Sequence, residues 1–140
     1  MNLKLLALIS LALMASILIL GCTSPKTETP NNGIQLEKGE VLVKLIIDDN
    51  VSPESFDVIA AKGSNGLEIM QQVVDVKYNE SLYGVFVNEI NGIKPAEGSG
   101  WSLYVNGVYA NKAVDRYSFS QDGNILWKIE SFEEMMKKMG

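Results

Sequence analysis

The chain has 140 residues, a formal net charge of −5, no histidine and a single cysteine. An acidic chain of this kind is a poor candidate for binding nucleic acid, which requires clustered Lys and Arg. Without histidine it lacks the commonest zinc ligand and the usual general base, so a Ser-His-Asp or Cys-His site cannot be assembled. One cysteine also excludes an internal disulfide. We therefore expect a non-enzymatic protein with no cofactor and no metal, stabilised by packing in one modest domain.

The first 21 residues have the pattern of a secretory signal peptide. Lys4 precedes an almost wholly apolar run, Leu5–Leu20, which favours a signal over a permanent membrane span. The run ends in Ile19-Leu20-Gly21-Cys22, which resembles a lipobox, although Leu20 is bulkier than the residue usually found there. We expect cleavage before Cys22, lipidation of Cys22, and anchoring of the exported chain to the outer face of the cytoplasmic membrane. The alternatives are an ordinary signal with an incidental cysteine, or a retained anchor helix.

Residues 22–36 form a polar segment that contains two prolines. This composition cannot bury enough apolar surface to fold, so we expect a disordered tether. The folded domain, residues 37–130, is predicted to begin with strands at Val41–Ile47 and Phe56–Ala61. Asn65 and Glu68 then form a capping-box pattern, and an apolar stripe extends this helix to about Asp75. It is the only long helix that the sequence predicts.

From Tyr83 onward the hydrophobic period is two and tight-turn dipeptides recur. The predicted strand segments are Val85–Ile90 before Asn91-Gly92, Trp101–Val105 and Val108–Asn111 around Asn106-Gly107, and Tyr117–Phe119 and Ile125–Ile129 around Asp122-Gly123. Two strands, one helix and then several turn-linked strands predict an α+β fold. We expect one main helix packed on one face of a mixed or antiparallel sheet.

The Asn106-Gly107 turn predicts the register of its hairpin, with Tyr104 opposite Tyr109. Alternation then assigns five apolar residues to the core face: Trp101, Leu103, Val105, Val108 and Ala110. The other face carries Ser102, Tyr104, Tyr109 and Asn111. These four residues form either a cross-strand pair that only stabilises an exposed sheet, or an aromatic platform for a ligand.

Two further segments are candidates for contacts. The irregular loop from Lys94 to Ser99 leads directly into Trp101, so Lys94 and Ser99 could line one groove with the tyrosine face. Residues 131–140 predict a short amphipathic helix with an apolar side of Phe and Met and with ion pairs Glu133–Lys137 and Glu134–Lys138. This helix either docks on its own domain, which we favour, or offers a Met-rich face to a partner.

The string GSGWSLYVNGVYANKAVDRYSF, Gly98 to Phe119, followed by DGNILW, Asp122 to Trp127, resembles the transcobalamin-like C-terminal domain family. The resemblance extends over about Val41–Ile129 and is more specific in its second half. It implies a β-grasp-like fold of the type found in domains that bind soluble ligands. In the animal cobalamin carriers that resemble this family, the lobe closes over a corrinoid that is held mainly by a separate helical domain. We expect no counterpart of that helical domain in this chain.

Together these patterns predict a membrane-anchored, extracytoplasmic ligand-binding module. It would capture a small molecule, a corrinoid or a related compound, and present it to a larger uptake system in the envelope. The alternative is an envelope interaction or structural module that docks protein partners and binds no small molecule. A stoichiometric protein partner would favour the alternative.

Overall fold

A computed structural model describes residues 33–140 of the chain, and Gln35–Gly140 form one compact unit. The predicted signal peptide, Cys22 and most of the predicted tether lie outside the described residues. The elements in chain order are β1 (Glu40–Asp48), β2 (Glu54–Ala61), α1 (Gly66–Met70), β3 (Val76–Ser81), β4 (Gly84–Ile90), β5 (Ser99–Val105), β6 (Val108–Tyr109), a 3₁₀ turn (Val114–Arg116), β7 (Gly123–Ser131) and α2 (Phe132–Met139). Within this part of the chain, neither helix is long and apolar enough to cross a bilayer.

The main sheet has five strands in the order β2-β1-β7-β5-β6, and β3 and β4 form a separate two-stranded ribbon. β1 and β7 run parallel, whereas β1–β2, β5–β7 and β5–β6 are antiparallel. The α+β class with a mixed sheet is therefore confirmed. The core lies on one face of this sheet, where alternate side chains such as Val43, Leu45 and Ile125 are fully buried.

The predicted hairpin around Asp122-Gly123 is wrong. Phe119 instead exchanges two backbone hydrogen bonds with the loop before α1, to Gly63 (2.8 Å) and Ser64 (3.0 Å). β7 then starts at Gly123 and pairs with β1 and β5. Both edges of β7 are thus occupied by distant strands, so residues 117–119 cannot pair with it.

α1 begins as predicted but is shorter than predicted. The capping box is confirmed, since the Asn65 side chain accepts from the Glu68 N–H (3.0 Å) and the Glu68 carboxylate accepts from the Asn65 N–H (2.9 Å). The helix ends at Met70, not near Asp75. The Asp75 N–H donates to the Asn91 side chain (2.9 Å), and this contact turns the chain into β3.

α2 spans Phe132–Met139 as predicted and packs on its own domain, where Phe132 and Met135 lie over Gly100. The predicted ion pair between Glu133 and Lys137 is present, at 2.7 Å. The predicted pair between Glu134 and Lys138 is wrong. Glu134 instead completes a capping box with Ser131, and Lys138 reaches Glu130 on β7.

Candidate ligand-binding groove

Half of β5 has an open edge. On one side β5 pairs with β7 along its whole length, but on the other side β6 covers only Tyr104 and Val105. β6 is short because the chain leaves the sheet after Tyr109. Beyond β6, only the Ala110 N–H still donates a hydrogen bond to β5, to the Leu103 carbonyl (2.9 Å). Backbone groups alternate sides along a strand, so the N–H and C=O of Trp101 point to the same side of β5 as those of Leu103. β6 is too short to reach Trp101, so its backbone groups are open on that side.

Two small clefts follow this open edge, and each has a volume of about 160 Å³. Both are lined by Phe86 and Val87 of β4 and by Trp101 of β5, and we call the pair the β4–β5 groove. The remaining residues of the first cleft are Val85, Ser102, Leu103, Tyr109, Ala110, Lys112, Ala113, Val114 and Trp127. Those of the second are Asn88, Lys94, Pro95, Ser99, Gly100 and Phe132.

The size of the groove limits what it can hold. Sites that bury a drug-sized ligand occupy about 300–1,000 Å³. Each cleft of the β4–β5 groove is about half of the lower limit. The groove can therefore take one arm or one edge of a large ligand, while the rest of that ligand stays outside.

One residue that lines both clefts carries an unpartnered hydrogen-bond donor. Trp101 is only 8% exposed, and its indole Nε1 has no hydrogen-bond partner among the described residues. A buried N–H without a partner costs about 1–3 kcal/mol relative to the solvated group. The second tryptophan of the core differs, because Trp127 Nε1 donates to the Met70 sulfur at 2.9 Å. Trp101 thus has a buried donor that the fold leaves without a partner.

The groove brings together four of the six residues that the sequence singled out. Lys94 and Ser99 line one cleft, and Ser102 and Tyr109 line the other. Ser102 is only 2% exposed, so its side chain offers a ligand almost no accessible surface. The predicted hairpin register is confirmed, with Tyr104 opposite Tyr109. Their rings are 5.5 Å apart and nearly perpendicular.

The other two residues lie outside the groove, and one predicted core residue is misplaced. The Tyr104 hydroxyl donates to Glu130 (2.9 Å), and the Asn111 side chain accepts from the Tyr117 hydroxyl (3.4 Å). Val108 was assigned to the core face but is 69% exposed. It lies on a two-residue strand at the end of the sheet, where no element covers it.

Sequence reasoning missed the hydrophobic wall of the groove. Phe86 lies within the continuous apolar run Val85-Phe86-Val87, which does not reveal that the middle residue is 66% exposed. Phe132 comes from α2, 27 residues after the end of β5 in the sequence, so only the tertiary fold reveals its place. No local sequence pattern marks Lys112, although its Nζ lies 4.4 Å from the centre of the Tyr117 ring.

A charged cluster next to the groove joins α2 to the sheet. Glu130 is buried and accepts hydrogen bonds from Lys138 Nζ (2.6 Å) and from the Tyr104 hydroxyl (2.9 Å). Burial raises the pKa of Glu130, but the hydrogen bonds from Lys138 and Tyr104 and the charge of Lys138 outweigh it and hold that pKa below its ordinary value. The same carboxylate, followed by the Tyr104 hydroxyl, holds the pKa of Lys138 well above its ordinary value.

Comparisons with known proteins agree with this fold. Residues 63–131 match the sequence model of the family described as domain of unknown function DUF4430. That segment runs from the loop before α1 to the end of β7, so it contains the β4 and β5 residues of the β4–β5 groove but not Phe132. No curated protein matches the chain in sequence.

Two solved structures share the architecture. Haptocorrin in complex with Cbi has a TM-score of 0.60 at 15% identity, over 70% of this chain and 27% of haptocorrin. A candidate metal-binding protein from Ruminococcus gnavus has a TM-score of 0.54 at 14% identity, over 65% of this chain and 97% of that protein. Identities this low show the fold alone. They support the transcobalamin-like fold that the resemblance implied, in a chain that spans about a quarter of haptocorrin's length.

The side chains of the described residues indicate which kinds of ligand the domain can bind. No group of three or more His, Cys, Asp or Glu side chains within residues 33–140 is arranged to hold a metal ion. The groove instead offers aromatic surface, backbone groups of an open strand edge, and Lys94 and Lys112 in its two clefts. These groups suit an uncharged or anionic organic ligand with hydrogen-bond acceptors.

Proposed function

We propose that this protein is a non-enzymatic ligand-binding module with a β-grasp-like domain, held at the outer face of the cytoplasmic membrane by a lipid on Cys22. The observation that carries the binding proposal is the β4–β5 groove, which is lined by Trp101, whose Nε1 has no hydrogen-bond partner among the described residues. An acceptor oxygen of a ligand would take this donor, and Phe86 would cover the ligand from the β4 side. The ligand that we favour is a corrinoid or a related small molecule.

Two observations support a corrinoid over other ligands. The fold is similar to that of haptocorrin, which was solved in complex with Cbi. The groove is also too small to enclose such a ligand, as expected for a lobe that covers one side of it. The module would then bind weakly by itself and deliver the ligand to a transport protein that covers the other side.

The second candidate function is an envelope interaction module with no small-molecule ligand. One observation favours it. Phe132, Met136 and Met139 of α2 are 54–66% exposed, which leaves an apolar strip that a protein partner could cover.

Isothermal titration of the compact unit Gln35–Gly140 with cobalamin and with Cbi tests the binding proposal. We expect binding in the micromolar range, and we expect Phe86→Ala to weaken it about tenfold, equivalent to about 1.4 kcal/mol. Val51→Ala is the matched control, because Val51 is also exposed but lies in the β1–β2 turn and lines neither cleft. No heat of binding from folded protein at high micromolar ligand would contradict the corrinoid proposal.

Anchoring is tested separately. Mass spectrometry of the N-terminal peptide from membranes should find a lipidated Cys22, and Cys22→Ser should release the protein from the membrane fraction. An unmodified Cys22 in a protein recovered from the cytosol would contradict the anchoring proposal. A stoichiometric crosslinked partner, without ligand binding, would favour the interaction module.

A further inference from the structure

β2 forms one edge of the main sheet, and its outer side pairs with no strand among the described residues. β2 pairs with β1 along Glu54–Ala61 without a register shift, so this edge is regular and eight residues long. Natural proteins usually interrupt such an edge with a proline or a bulge, because an open edge is a template for another strand. Pro53 lies just before β2, so neither device interrupts the strand itself.

The free backbone groups of this edge belong to alternate residues. The Lys62 N–H donates to the Gly39 carbonyl (2.9 Å), which makes these two residues a hydrogen-bonded pair. Such pairs alternate with non-bonded pairs along an antiparallel ladder, so the even-numbered residues of β2 bond to β1. The odd-numbered residues, all of them exposed, direct their N–H and C=O groups to the open side: Ser55, Asp57, Ile59 and Ala61. Within the described part of the chain, only the Ala61 carbonyl among these groups has a partner, the Ser64 N–H (3.1 Å).

The charges of β2 select one register for a second copy of the same strand. Two identical antiparallel strands are related by a twofold axis, and only odd-numbered residues can bond across it, so the axis lies at a residue. An axis at Asp57 would bring two like charges face to face. An axis at Val58 instead places Glu54 opposite Lys62 of the second copy, and symmetry forms this ion pair twice. An axis at Ile59 would form no such pair.

The same register also continues the core face of the sheet into the second copy. Val58 and Ala60 are buried, and Phe56 is half-buried at the edge. Phe56 would lie opposite Ala60 of the second copy, so part of its ring that now faces water would be covered. Asp57 keeps its own partner on the other face, because Lys44 of β1 lies 3.1 Å from its carboxylate. The edge therefore offers backbone groups, apolar surface and charges that match a second copy.

We infer that β2 is the interface of a symmetric homodimer, in which the main sheets of two copies join edge to edge with Val58 on the twofold axis. The opposite edge strand, β6, has only two residues and offers no comparable contact, so the assembly closes at two copies. An interface formed along one strand is small, and we expect a dissociation constant in the micromolar range. The inference depends neither on the proposed ligand nor on the proposed lipid anchor.

Charge reversal tests the inference by sedimentation equilibrium of the full chain in density-matched detergent. Glu54 and Lys62 are exposed and lie about 27 Å apart along one copy of the strand, so they cannot pair within that copy. We expect Glu54→Lys and Lys62→Glu each to raise the dimer dissociation constant about tenfold, because each turns two attractive pairs into two repulsive ones. The double variant should restore the parent value. Glu97→Lys, in the exposed loop before β5, makes the same change in net charge and should not raise the constant.

A backbone variant tests the open edge directly. Ile59→Pro removes an N–H that points away from β1, so the β1–β2 ladder keeps its hydrogen bonds while the dimer loses its own. We expect a folded monomer, with folding checked by circular dichroism. If Ile59→Pro does not fold, the charge variants decide alone.

The other outcomes overturn the inference. A parent chain that stays monomeric at high micromolar concentration would show that β2 does not pair with its own copy. A dimer that tolerates Ile59→Pro, or whose weakening by Glu54→Lys is not reversed in the double variant, would place the interface elsewhere. Assemblies larger than two copies would contradict closure at the twofold axis.

Discussion

Lys138, in the last turn of the C-terminal helix, donates a hydrogen bond to the buried carboxylate of Glu130 at 2.6 Å. The same ammonium group reaches the Tyr104 hydroxyl at 2.5 Å. α2 is thereby fixed to both β5 and β7 beside the β4–β5 groove. An eight-residue helix is marginal in isolation, so these contacts and the packing of Met135 decide whether it stays folded.

Lys138→Met should lower the free energy of unfolding and release α2. The substitution keeps the apolar stem but leaves the Glu130 carboxylate buried without its cation, which is costly. Lys137→Met is the matched control, since it removes only an exposed i,i+4 ion pair worth about 0.3–0.5 kcal/mol. Urea unfolding and hydrogen exchange of the α2 amides measure both effects. Equal losses in the two variants would show that the Glu130 contact is unimportant.

The Lys138–Glu130 contact should also make stability depend on pH in two windows. The pKa of Glu130 is lowered in the fold, so its contribution is present above the ordinary value of 4.5 and is lost as pH falls below it. The pKa of Lys138 is raised, so its contribution is complete below 10.5 and is lost as pH rises further. The difference in unfolding free energy between the parent and Lys138→Met, measured from pH 3 to 11, should therefore be largest between 4.5 and 10.5 and should narrow outside that window. A constant difference would contradict this account.

Gly84→Ala should destabilise the tip of the β3–β4 ribbon. Gly84 has a φ of +111°, and an added Cβ would lie 2.5 Å from the Asp115 carboxylate and 2.6 Å from the Ala113 side chain. Gly39→Ala is the control, because Gly39 has a similar φ of +101° but open space around it. We expect about 1 kcal/mol of backbone strain for Gly39→Ala and a clearly larger loss for Gly84→Ala, measured by urea unfolding. Equal losses would mean that Asp115 does not brace the ribbon.

Trp101→Phe should separate ligand binding from stability. The indole N–H has no partner in the fold, so its removal costs no hydrogen bond, and the free energy of unfolding should fall by about 1–3 kcal/mol through the smaller volume of phenylalanine alone. If a ligand oxygen takes that N–H, affinity should fall about tenfold, since one hydrogen bond contributes about 0.5–1.5 kcal/mol. Isothermal titration and urea unfolding give the two values. Unchanged affinity would remove Trp101 Nε1 from the proposed site.

Local patterns predicted local structure well. The Asn106-Gly107 turn predicted the pairing of Tyr104 with Tyr109, and the Asn65–Glu68 capping box predicted the start of α1, because each depends on residues close in sequence. Long-range pairing was not predictable in this way. The two-residue hydrophobic period of β7 does not specify that β7 runs parallel to β1, which lies 80 residues earlier in the chain.

The candidate site was predictable where it depends on residues that are close together in the sequence. Lys94, Ser99 and Tyr109 were inferred to be near Trp101 from their order along the chain, and the structure places them in the clefts on either side of it. Phe86 and Phe132 come from elements whose positions depend on the whole fold. Lys138 was assigned to Glu134 by helix spacing, but the buried Glu130 accepts its hydrogen bonds, and Ser131 engages Glu134 in a capping box.

The most direct measurement of the central claim follows the two indole N–H signals in an NMR titration of ¹⁵N-labelled Gln35–Gly140 with Cbi. Trp127 also lines the first cleft, but its Nε1 is bonded to the Met70 sulfur inside the core, so its signal should respond less to a ligand. A ligand in the β4–β5 groove should shift the Trp101 signal progressively to saturation and shift the Trp127 signal clearly less. No shift of Trp101 at saturating Cbi, or an equal shift of both signals, would contradict a binding site in this groove.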